Sequence, residues 1–97
     1  MTKKEAMNKL QELHSAEVDK AKAYSNEAAE YSSKYFSLRD VVESERKLNG
    51  VSSEYYRLVA ERDEMLKKAN DNHENAQKCY AVAGAYFDAF KILCEVA

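Results

Sequence analysis

The chain has no proline, no tryptophan and only two glycines among its 97 residues. Sandwiches and barrels place proline and glycine in their many turns, and enzymes use both in long loops, so this scarcity leaves room for one or two turns. Charge of one sign is also missing. Fifteen basic residues stand against 17 acidic ones, a formal net charge of −2, which gives no field to gather an anionic partner. No long apolar run is present either. Behind the basic residues Lys3 and Lys4 there is no apolar stretch of about 7–15 residues, so no secretory leader is expected. The most apolar segment, Cys79 to Ala97, is interrupted by Asp88, Lys91 and Glu95, whereas a spanning helix needs about 20 largely uncharged residues. The expectation is a soluble, cytoplasmic protein without a membrane segment.

What is present is helix, with 45% apolar and 33% charged residues. Thr2-Lys3-Lys4-Glu5 has the pattern of a capping box, in which Thr2 accepts from an amide three residues on and Glu5 reaches back to the Thr2 amide. No breaker follows until Leu48-Asn49-Gly50, where Asn and Gly tolerate the left-handed conformation that closes a helix. Arg46 and Lys47 suit the negative end of that helix. Ser52 is a good N-cap for a second helix, Glu54 favours its first turn, and Val51 can staple onto Tyr56. The expectation is a single domain over 1–97, with a helix over about 3–48, a turn at 49–52 and a helix over about 53–97.

The apolar pattern is heptad. Met7, Leu10, His14, Glu17, Ala21, Tyr24, Ala28, Tyr31, Tyr35, Leu38 and Val42 follow alternating steps of three and four. Tyr55, Val59, Arg62, Leu66, Ala69, His73, Ala76, Tyr80, Ala83, Phe87, Phe90, Cys94 and Ala97 do the same. Such steps mark two helices packed along a narrow seam. Folding one on the other about Gly50 makes facing residue numbers sum to roughly 100, as an antiparallel heptad pair should. Leu10 then meets Phe90, Ala21 meets Tyr80, Tyr24 meets Ala76, Ala28 meets His73 and Tyr31 meets Ala69, so that large repeatedly faces small. The fold class is all-α, an antiparallel helical hairpin with a coiled-coil-like seam. Asn70-Asp71-Asn72-His73-Glu74-Asn75 prefers caps and turns to helix interiors, and a break there would make three helices. The heptad phase runs through it without a slip and favours two.

A second stripe of Cys79, Val82, Tyr86, Ala89, Leu93 and Val96 lies beside the first on the last helix. A helix that is apolar nearly all round needs cover on more than one side. With Leu13 from the first helix, the residues Val82, Tyr86, Ala89, Leu93 and Val96 form the expected interface for a partner or a second copy, giving a paired helical bundle. Phe36 and Tyr56 fall off the seam and are secondary interface candidates. Arg62 is expected to pack its stem on the seam and extend its head to water.

No chemistry emerges from the remaining residues. Gln11 and Asn70 stand three residues before His14 and His73, where a bundle di-metal site needs Glu. His73-Glu74-Asn75-Ala76-Gln77 has Gln where a zinc-protease helix needs its second His. No metal or cofactor site is expected, and no catalytic residue, because Cys79 and Cys94 lie in helices away from any loop able to form an oxyanion site. On one helix these cysteines are about 22 Å apart, too far to bridge, and buried thiols are expected. Eight basic residues lie between Lys34 and Lys68, but seven acids accompany them, so nucleic-acid binding ranks third. The expected function is a small protein-binding module: an adaptor, a chaperone, or an inhibitor of a larger machine of the kind that mobile elements encode. The rival is a self-assembling structural coiled coil, most simply a homodimer.

Overall fold

The computed structural model describes residues 1–96. Two helices account for nearly all of them: α1, Lys3–Asn49, and α2, Ser53–Glu95. They pack antiparallel as an all-α hairpin. The Thr2 hydroxyl accepts from the Glu5 amide at 3.1 Å and donates to the Glu5 carboxylate at 3.1 Å. The glutamate therefore bonds the cap hydroxyl rather than the Thr2 amide. At the other end Gly50 takes a φ of 68°, which a side chain would resist, and its amide bonds back to the Arg46 carbonyl at 2.9 Å. Glu45 organises the turn, since one carboxylate oxygen accepts from the Asn49 amide group at 3.1 Å and from the Ser52 hydroxyl at 3.0 Å. The Ser52 oxygen in turn accepts from the Tyr55 amide at 3.0 Å and caps α2. Val51 and Tyr56 both remain largely exposed, so the staple between them buries little.

The run from Asn70 to Asn75 does not break α2. Asn72 turns its side chain back onto the Lys68 carbonyl at 3.0 Å, Glu74 pairs with Lys78 one turn on, and buried Ala69 and Ala76 hold the segment from either side. Packing overrides a weak local preference here.

The seam of α1 follows its heptad reading throughout, with every residue from Met7 to Val42 in that series buried or half-buried. The seam of α2 needs a correction. Leu66, His73, Tyr80, Phe87 and Cys94 are exposed, and Ala97 lies outside the described residues. In α2 the covered positions are instead Tyr55, Leu58, Arg62, Met65, Ala69, Asn72, Ala76, Cys79, Ala83, Tyr86, Phe90 and Leu93, again in alternating threes and fours. Every second seam position therefore lies one residue earlier. Leu58/Val59, Met65/Leu66, Cys79/Tyr80, Tyr86/Phe87 and Leu93/Cys94 are apolar at both places, so periodicity alone could not choose between them. Recorded cross-helix neighbours keep the register: Lys3 bonds the Val96 carbonyl, His14 packs on Phe87, and Lys68 reaches the Tyr31 ring. Ala21 thus falls opposite Cys79 and Ala28 opposite Asn72, while the Leu10–Phe90, Tyr24–Ala76 and Tyr31–Ala69 layers stand.

The chain divides into two compact units, a terminal one of Met1–Tyr24 with Glu74–Ala97 and a turn unit of Ser25–His73. In the terminal unit the buried side chains are Ala21, Ala76 and Ala83; in the turn unit they are Ala28, Val42, Leu58 and Ala69. Alanines spaced seven apart on both helices let the backbones approach closely. They also leave a thin core, because no large side chain among the described residues is fully buried. A compact monomer of this mass would expose about 5,650 Å²; this chain exposes 6839 Å².

Candidate functional site

The exposed apolar residues of the terminal unit fall on the two sides of its seam. On a heptad helix, residues just before one seam position and just after the other flank it on opposite sides. Ala6 and Leu13 of α1, with Val82, Ala89 and Val96 of α2, occupy one flank. Leu13 and Ala89 are half-buried, Val82 and Val96 are exposed, and Ile92 beside them is 61% exposed. The sequence reading did not name Ile92, although its place one turn before Val96 was a sufficient signal. Tyr86 and Leu93 hold seam positions and are half-buried, so only their edges reach this surface.

The opposite flank carries Gln11, Ser15 and Val18 from α1, and Tyr80, Gly84 and Phe87 from α2. A groove of about 380 Å³ opens there, walled by Gln11, Ser15 and Phe87 and floored by Leu10, His14, Tyr86 and Phe90. The His14 and Phe87 rings lie 6.0 Å apart at 45°. Lys91 stands 5.1 Å over the outer face of Phe87 and pairs with Asp88 at 3.7 Å. Sequence reasoning passed over this flank because it assigned Tyr80 and Phe87 to the seam.

In the turn unit, Phe36 and Tyr56 are each about half exposed or more, and each leans edge-on against the preceding seam tyrosine, Tyr35 or Tyr55. Arg39 sits 5.1 Å over Phe36. Arg62 keeps its stem on the seam and its head on Asp63 at 3.0 Å. Of the eight basic residues between Lys34 and Lys68, Arg39, Arg46, Arg57, Arg62 and Lys68 already face carboxylates. Their charge is largely answered within the chain, as a solvated face requires.

The cysteines separate. Cys79 is half-buried on the seam, where burial and then the Glu17 carboxylate push its thiol pKa up. Cys94 is exposed, contrary to the expectation that both thiols are buried. His14 lines the groove and His73 is exposed. Among the described residues, no group of three or more His, Cys, Asp or Glu side chains is placed to hold a metal ion, and no helix is long and apolar enough to cross a membrane. Comparison with family models, with curated proteins and with solved structures finds no match to this chain.

Proposed function

We propose that the hairpin is a non-catalytic protein-binding module whose docking surface is the apolar flank of Leu13, Val82, Ala89 and Val96, with Ile92 at its edge. One observation carries the reading: these aliphatic side chains are held side by side in water by two capped helices, next to a core made largely of alanine. A patch of this kind on a rigid helix pair suits a groove or a helix on another protein. An adaptor, a chaperone for an unstable partner and an inhibitor of a larger machine all use such a surface, in the cytoplasm or any other aqueous compartment.

The test is retention of a stoichiometric partner by the wild-type chain and its loss in a Val82→Lys, Val96→Lys double variant that keeps full helicity. Tyr86 and Leu93 are unsuited to this test, because a charge at a seam position would open the hairpin. Equal retention by both chains, or no stoichiometric partner, would remove the reading. A second reading, self-association, is favoured by a separate observation: apolar side chains also line the opposite flank.

A further inference from the structure

We infer that the flank of Gln11, Val18, Tyr80, Gly84 and Phe87 is a two-fold interface with a second copy of this chain, close-packed at Gly84. The proposal rests on the self-association reading and leaves the docking flank of Val82 and Val96 free.

Three observations support it. The first is area. The chain exposes 6839 Å², about 1,200 Å² more than a compact monomer of its mass, while a standard stable interface covers about 800 Å² per partner. Self-pairing on one flank removes a surplus of that size.

The second is charge. A two-fold interface brings the same patch against itself, so ionised groups of one sign within it would repel. Gln11, Ser15, Val18, Tyr80, Gly84 and Phe87 include none. The nearest cations, Lys22 and Lys91, sit towards the rim, and Lys91 is paired with Asp88. A patch without charge also lacks the complementarity by which unlike partners select one another. A second copy is the occupant it fits, and the groove of about 380 Å³ beside Phe87 can receive an aromatic side chain from that copy.

The third is Gly84. A glycine inside a helix weakens it relative to alanine, and this one has an ordinary helical backbone with nothing within 4 Å of where a Cβ would stand. Nothing inside the hairpin requires glycine at this position. Another backbone lying against the flank does, because only glycine lets two helices approach to that extent.

The experiment is sedimentation equilibrium across a concentration series, with helicity followed by circular dichroism. The wild-type chain should sediment as a dimer. Gly84→Gln should retain its helicity, since the added side chain meets open space in the hairpin, and should weaken the dimer at least about 30-fold, as a central interface position does. Phe87→Lys should act in the same direction, whereas Val82→Lys with Val96→Lys should leave the dimer intact. A monomeric or higher-order wild type would overturn the proposal. So would an unchanged dimer in Gly84→Gln, loss of helicity in that variant, or a dimer broken only by the Val82 and Val96 changes. The last outcome would assign self-pairing to the docking flank instead.

Discussion

The phase of the α2 seam can be tested with two leucines of the turn unit. Leu58 is 6% exposed and Leu66 is 39% exposed, although both fit an apolar heptad in the sequence. Truncating a buried leucine to alanine costs about 2–5 kcal/mol, depending on how far the site collapses. The seam around Leu58 is narrow and can close partly, so the low end of that range applies, about 2.5 kcal/mol for Leu58→Ala. Leu66 keeps a large share of its surface in water and loses correspondingly less, about 1 kcal/mol or below. Both residues belong to one compact unit, and Leu66 lies outside the flank proposed for pairing. Their difference therefore reports on packing within one block and not on uneven cooperativity. The assay is urea unfolding followed by helicity at a single protein concentration, with sulfate added to all samples if the Leu58→Ala variant is partly unfolded without urea. With an m-value of about 1–1.5 kcal/mol/M for a chain of this size, the two midpoints should differ by about 1 M or more. Equal midpoints, or a larger loss for Leu66→Ala, would return the seam to Val59, Leu66 and Tyr80 and refute the register described above.

Removing the Glu45 carboxylate strips one acceptor from both Asn49 and Ser52; Glu45→Ala should lower stability by about 1 kcal/mol and Glu45→Gln by less, read from the same urea curves. Ser52→Ala should cost about 1 kcal/mol through the lost cap on the Tyr55 amide, again as a midpoint shift. A thiol reagent should label exposed Cys94 quickly and Cys79 slowly under native conditions, with the two rates converging in urea. The Cys79 thiol has its pKa raised in the folded chain, first by burial and then by Glu17, so the folded state holds that proton more tightly than the unfolded one. Its contribution is complete below the ordinary thiol range and is lost as pH rises beyond about 8.5; the fall in urea midpoint from pH 8 to pH 10 should be shallower in Cys79→Ala.

The helices and the turn were legible in the sequence because their signals are local and agree with one another. Thr2 and Ser52 mark starts, Asn49 and Gly50 mark a stop, and no proline contradicts them. The continuity of α2 was legible only from periodicity. The propensity of Asn70 to Asn75 opposed it, and the buried alanines on either side decided the matter. The α1 seam was legible because polar residues such as Gln11, Ser25 and Ser32 border it. The α2 seam has no such border, and a stripe with two apolar residues per step supports two phases equally. That ambiguity displaced the candidate site: Tyr86 and Leu93 were read as a surface and hold seam positions, while Tyr80 and Phe87 were read as seam and stand exposed.

The same doubled stripe connects stability to association. Leu58, Met65, Cys79, Tyr86 and Leu93 suffice to fill the seam against α1, so Leu66, Tyr80 and Phe87 contribute little to holding the hairpin closed. Apolar side chains kept in water bring a solubility cost and no folding gain unless something covers them. Alanines at the closest layers reinforce the point, since they fix a close approach of the helices and bury little apolar area each. A chain with this distribution gains more from association than from its own core. Its unfolding midpoint should therefore rise with protein concentration, as it does for any fold stabilised by a copy of itself. The Gly84→Gln chain should show a midpoint that does not depend on concentration. A flat midpoint in the wild type would mean that the hairpin is stabilised by its seam alone.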